Sequence, residues 1–170
     1  AFIDAIAHLG RRDLRFLIVG SDQGRKGYRQ ELGSLVERNG LGDVVRIVDH
    51  CDDMPAAYML SDVVVSASTD PEAFGRVIVE AQALGRPVIA SDHGGATENI
   101  IEGKTGWLVP PGQAIPLAEM LSSILDMRAD ERASLSKAAI SNVNQNFSKR
   151  VMCDSVLDIY NEVLNERGWT

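Results

Sequence analysis

The chain has 170 residues, 45% hydrophobic and only 5% aromatic, which fills one core in one domain. A net charge of -7 without a dense Lys/Arg block leaves no source for the attraction to phosphate backbones that nucleic-acid binding needs, and excludes nucleic acid as a partner. No apolar stretch reaches the roughly 18 to 20 residues of a bilayer-spanning helix, and the opening AFIDAIAHLG lacks a signal peptide's basic head and cleavage pattern, so a cytoplasmic domain is expected.

In chain order the pattern predicts a helix over residues 2 to 9 and then the apolar strand RFLIVG at 15 to 20. A helix over 24 to 39 leads to strand VVRIVD (44 to 49), and a helix over 54 to 60 leads to DVVVSAS (62 to 68). Helix 75 to 84 is followed by strand RPVIASD (86 to 92), helix 95 to 102 by the brief strand GWLVP (106 to 110), and PPG at 110 to 112 makes a turn. Helices over 114 to 127 and 130 to 145 precede a last amphipathic helix from Ser148 to Glu166. Ser148 suits its N-cap, and Val151, Val156, Ile159, Tyr160, Val163 and Leu164 give it an apolar stripe.

Strands apolar on both faces, alternating with helices, predict an α/β doubly wound, Rossmann-like, mostly parallel sheet with helices on both faces. Such a fold begins on a strand, whereas this sequence begins on a helix, so a first strand and a preceding domain are expected upstream of Ala1. That first strand would be central, so its neighbours are expected to pair directly or to borrow a strand from a second copy in a homodimer. Cys51 and Cys153 lie far apart, show no CxxC spacing, and read as free thiols.

Ligands of open parallel sheets sit beyond the carboxyl ends of the strands, here the loops GSDQG (20 to 24), HCDDM (50 to 54), TDPEAFG (69 to 75) and HGG (93 to 95). Glycines at 20, 75, 94 and 95 either let backbone amides cradle an anion or simply make tight turns. The stretch DPEAFGRVIVEAQALGRP sets Glu72 just ahead of a helix start and Glu80 inside an apolar run. A carboxylate in that setting needs a partner. A phosphorylated sugar satisfies the pattern: phosphate on the helix amides, sugar hydroxyls on Glu72, and a ribose diol on Glu80. The alternatives are an ion pair of Glu80 with Arg76 or Arg86, and a helix-dipole role for Glu72.

The segment PEAFGRVIVEAQALGRPVIASDHGGATENI, with its two acids separated by seven residues, resembles the retaining glycosyltransferases of the GT-B fold known as family 4 or group 1. The similarity extends through RFLIVGSDQG, DVVRIVDHCDDMPAAYMLSDVVVSAS and ENIIEGKTGWLVPPGQAIPLAEML, so the chain corresponds to the C-terminal, donor-binding half of such an enzyme. The resemblance implies transfer from a UDP or GDP sugar to the hydroxyl of a glycan or lipid acceptor, without metal or other cofactor. In that role Glu72 meets the donor sugar, with the backbone of Phe74, Gly75 and Arg76 beside the sugar and distal phosphate. Glu80 holds the ribose, the stretch from Cys51 through Asp53 to Met54 lines the base mostly through backbone groups, Gly20 lies near the nucleotide, and Ser68 lies near the phosphates.

There are departures from the pattern. His50 stands where relatives commonly have glycine, and the family's phosphate-binding Arg and Lys fall upstream of Ala1. Arg25 and Lys26 are read as solvated charges rather than substitutes, His50 and His93 as hydrated loop residues, and Glu98 as structural. The chain alone is therefore expected to bind weakly and to show no transfer, with membrane contact at the inner face left to the missing domain. A nucleotide-binding module without turnover is the rival reading.

Overall fold

The computed structural model describes residues 1–21, 24 and 27–168. Its elements are α1 (Phe2–Leu9), β1 (Phe16–Val19), α2 (Tyr28–Arg38), β2 (Val45–Val48), α3 (Met54–Leu60), β3 (Val64–Ser66) and α4 (Arg76–Ala83). Then come β4 (Val88–Ser91), α5 (Ala96–Asn99), β5 (Trp107–Val109), α6 (Ala114–Leu125), α7 (Ala129–Asn146) and α8 (Lys149–Glu166). Every strand pair is parallel, as the doubly wound class requires.

The strands form two sheets, β1-β2 and β3-β4-β5. The direct pairing of neighbours across the centre, one of the outcomes expected from the sequence, does not occur between β1 and β3. Instead α1 bridges the sheets. Ile3 and Ile6 pack with Phe16, Val36 and Val45 over the first sheet, whereas Ala5 packs with Ile89, Leu117 and Leu121 under the second. Phe2 and Leu9 reach both clusters, and the rings of Phe2 and Phe16 meet edge-on with centroids 6.3 Å apart.

The strand period of two divides the second sheet cleanly between its faces. Val64, Val88 and Ala90 face α3, α4 and α5, where Tyr58, Ile78, Ala81, Ala96 and Ile100 complete one cluster. Val65 and Ile89 point the other way into α1 and α6. This sheet is covered on both sides, which is why all four residues of β4 are buried. On the first sheet Phe16 and Val45 are buried, while their neighbours Leu17 and Arg46 are exposed.

The helix expected over 95 to 102 shortens to α5 because Ile100 is already extended and Ile101 N–H donates to Thr105 Oγ1 at 2.9 Å, closing a turn instead of another helical bond. The last helix begins where expected, with Ser148 Oγ accepting from Val151 N at 3.3 Å. Its stripe, however, is not packed: no residue of α8 is buried, and Val156, Ile159, Tyr160, Val163 and Leu164 are all exposed. Amphipathic periodicity reports that a face is built for burial, and here no surface of the described residues covers it. Cys51 and Cys153 are free thiols.

Candidate functional site

The loop between β3 and α4 carries the first acid. Gly75 ends it in the left-handed region, φ 77°, as the N-cap of α4, and a Cβ there would sit 3.0 Å from Ile78 Cδ1. The loop is held from behind by the turn after β4. Gly95 N–H donates to Glu72 O at 2.8 Å, Asn99 Nδ2 donates to Phe74 O, and a ring nitrogen of His93 lies 3.1 Å from Ser68 O. Gly94 and Gly95 make this approach possible. A Cβ on Gly94 would fall 2.5 Å from Glu72 O, and one on Gly95 2.6 Å from Phe74 Cα.

Asn99 is itself fixed by a buried polar bracket. Gln82 Nε2 donates to Asn99 O at 3.1 Å and to Thr105 Oγ1 at 3.3 Å, joining α4, α5 and the following turn. All three residues are buried, so each bond holds at low dielectric. Phe74 is pinned by its ring, 6.0 Å from that of Phe147 at the end of α7.

With its backbone fixed in this way, Glu72 keeps an exposed side chain whose Oε1 accepts from Ser68 Oγ at 2.5 Å. Behind it, Ser66, Ser91 and His93 line a hollow of about 10 Å³, too small for a sugar, so room for a ligand lies on the solvent side of the carboxylate.

Glu80 lies one turn into α4 and is the carboxylate that needed a partner. Among the described residues it has two: Tyr58 Oη donates to Oε2 at 2.9 Å, and an Arg76 guanidinium nitrogen donates to Oε1 at 3.0 Å. The ion pair with Arg76 weighed from the sequence is therefore present, while Arg86 turns away to donate to Ser61 O at 3.3 Å. The Arg76 side chain is 83% exposed and that of Glu80 39%, so this i,i+4 pair contributes at most a few tenths of a kcal/mol, roughly 0.3 to 0.5. Tyr58 differs in kind. It is buried, and that burial first, then the bond to Glu80, push its hydroxyl well above the usual 10.0, so it stays a protonated donor throughout the neutral range. The sequence reading missed Tyr58. The available signal was a tyrosine in an otherwise apolar helical run, whose hydroxyl must find an acceptor when the ring is buried.

Of the remaining expected residues Gly20 lines a cleft at the ends of β1 and β2, whereas Cys51, Asp53 and Met54 follow β2 without lining it. Gly20, φ 147°, donates its N–H to Val48 O at 3.2 Å and joins Ser21, Tyr28, Ile47, Asp49 and His50 around a cleft of about 400 Å³. Arg29 and Asp49 pair at its rim. His50 Nε2 lies 3.1 Å from Asp52 Oδ1. Of the stretch expected to line a base, Cys51 is half-buried, Asp53 caps α3 by accepting from Ala56 N at 3.0 Å, and Met54 packs against the core beside Tyr58. Asp53 and Met54 thus use their side chains structurally. Arg25 and Lys26 lie outside the described residues. Among the described residues no three His, Cys, Asp or Glu side chains gather to hold a metal ion, and no helix is long and apolar enough to cross a membrane.

A parallel α/β domain with glycine-bounded loops and two acids flanking a helix start has the form of a nucleotide-ligand domain. Residues 1–142 match the family described as "Glycosyl transferases group 1". The chain belongs to that family. It is 35% identical over 158 residues, 91% of its length, to a D-inositol 3-phosphate glycosyltransferase of Saccharomonospora viridis, of which it spans 36%. The crystal structure of a glycosyltransferase from Rickettsia africae superposes with a TM-score of 0.92 at 34% identity, over 96% of this chain and 43% of that one. Anabaena Alr3699/HepE, solved with UDP-glucose, gives 0.88 at 30% identity, over 95% of this chain and 44% of that one. The chain therefore spans well under half the length of these relatives.

Proposed function

We propose that the chain is the donor-binding half of a retaining GT-B glycosyltransferase that moves a sugar from a UDP or GDP sugar to an acceptor hydroxyl in glycan, lipopolysaccharide or glycolipid synthesis. The observation that carries the reading is the placement of Glu72 and Glu80 on either side of the α4 N-terminus, both with carboxylate surface open to solvent. The UDP-glucose bound by the HepE structure supports the ligand class.

Each carboxylate oxygen of Glu80 has more than one acceptor site, so a ribose diol binds beside Tyr58 while the exposed Arg76 swings toward the diphosphate. Arg76 and Val77 open the first turn of α4, where the helix supplies no backbone acceptor and its dipole favours an anion. Those amides, with the backbone of Phe74 and Gly75 and the Ser68 hydroxyl, receive the phosphates. Glu72 takes the hydroxyls of the sugar. Gly20 and the Cys51 to Met54 stretch border the base. As the leaving diphosphate gains charge, the fixed helix end stabilises it without reorganising, which is how a preorganised site lowers a barrier, and Arg76 adds a charge once it has moved over. The acceptor and its binding surface, including any contact with the inner face of a membrane, belong to the rest of the enzyme.

Calorimetry with UDP and GDP tests the reading. Glu80→Ala is expected to weaken binding of the preferred nucleotide about tenfold or more, the scale of a lost hydrogen bond to a charged group. Unchanged affinity in this variant would contradict the assignment.

A further inference from the structure

We propose that Tyr58 is a positioning residue for nucleotide binding, its hydroxyl setting the orientation in which the Glu80 carboxylate receives the ribose. The inference rests on the reading of Glu80 as the ribose acid and extends it to a residue on a different helix.

The two partners of Glu80 are unequal. Arg76 reaches it with a long, exposed side chain that water and salt compete for, and it carries a charge that the diphosphate attracts. Such a partner does not fix a carboxylate. The Tyr58 ring is buried in one cluster with Val64, Ile78, Ala81 and Met54, so packing restricts its two side-chain torsions. Its hydroxyl therefore arrives from a fixed point, 2.9 Å from Oε2. Being neutral, it orients the carboxylate without cancelling its charge, so incoming hydroxyl groups still meet a full anion. Burial also holds the phenol protonated, which keeps it a donor to Glu80.

Tyr58 also ties two parts of the site together. It stands on α3, whose first turn is capped by Asp53 at the end of the loop that follows β2. That loop and Glu80 on α4 are therefore joined through one short helix and the hydrogen bond from the Tyr58 hydroxyl.

The test compares UDP or GDP, whichever the chain binds better, with its 2′,3′-dideoxy analogue, by calorimetry on the whole chain. The wild type, Tyr58→Phe, Glu80→Ala and the double variant are measured alongside their melting temperatures. The wild type is expected to prefer the ribonucleotide, and Tyr58→Phe to reduce that preference about three- to tenfold, chiefly by weakening the ribonucleotide. Glu80→Ala is expected to abolish the preference, and the double variant to match Glu80→Ala alone, because Tyr58 acts only through the carboxylate. Full preference in Tyr58→Phe, with loss in Glu80→Ala, overturns the positioning role and leaves the ribose reading standing. Preference that persists in Glu80→Ala, or is absent in the wild type, overturns the reading beneath it and the inference with it. Should Tyr58→Phe not fold, tyrosine labelled with ¹³C at Cζ gives a second measurement on the wild type. The Tyr58 resonance is expected to move with the ribonucleotide and not with the dideoxy analogue, and equal shifts with both overturn the proposal.

Discussion

Gly95→Ala is expected to destabilise the chain by about 2 to 4 kcal/mol, lower its melting temperature by roughly 5 to 15 °C, and remove nucleotide-sugar binding. The cause is steric, not torsional. Gly95 has φ −60°, a conformation any residue adopts, so no left-handed strain enters. Its Cβ would instead lie 2.6 Å from Phe74 Cα and 2.7 Å from both Phe74 C and O, all of them backbone atoms. Backbone does not rotate aside as a side-chain tip does. Moving it breaks the Gly95 N–H bond to Glu72 O at 2.8 Å and shifts the carbonyl that Asn99 holds. The loop bearing Glu72 thus comes off its support while the sheet beneath it is untouched. Gly33 supplies the control. It lies inside α2, and among the described residues nothing stands within 4 Å of the point a Cβ would occupy, so Gly33→Ala is expected to raise stability by about 0.5 to 1 kcal/mol through helix propensity. Thermal melting of both variants beside the wild type checks the pair. A Gly95→Ala protein that melts with the wild type would show that the two loops do not depend on this contact.

These two glycines mark what a sequence discloses and what it withholds. Val and Ile runs against helical periods were sufficient to place the strands, because a parallel strand buried on both faces has few alternatives to continuous β-branched residues: RPVIASD contains β4 and DVVVSAS contains β3. The glycines of HGG were visible as permissive positions, but not which neighbour required them. For Gly95 that neighbour is Phe74, about twenty residues away in the chain, and only folding brings the two backbones together. Glu80 was legible as a carboxylate that needs a partner, and its helix neighbour Arg76 followed from i,i+4 spacing. Tyr58 was not, since its approach to Glu80 depends on how α3 crosses α4. The α8 stripe shows the opposite case: periodicity correctly gives an apolar face, yet carries no information on what covers it.

Glu72→Ala is expected to leave affinity for free UDP or GDP within about twofold of the wild type and to weaken the corresponding nucleotide sugar about 10- to 100-fold. The division follows from which atoms of Glu72 serve the fold. Its carbonyl accepts from Gly95 N–H, a main-chain bond that alanine retains. Among the described residues its side chain bonds only Ser68 Oγ, and Ser68 is half-buried, so water replaces the lost acceptor at small cost. The helix amides and Glu80, proposed to meet the phosphates and the ribose, are covalently and sterically unaffected. What disappears is an anionic acceptor exposed to solvent just ahead of the α4 N-terminus, where the proposed binding mode puts the donor sugar. A carboxylate placed for helix-dipole stabilisation alone predicts something else: a small loss of stability, with equal effects on nucleotide and nucleotide sugar. Parallel titrations of both ligands decide between the two, and equal weakening would remove Glu72 from contact with the sugar.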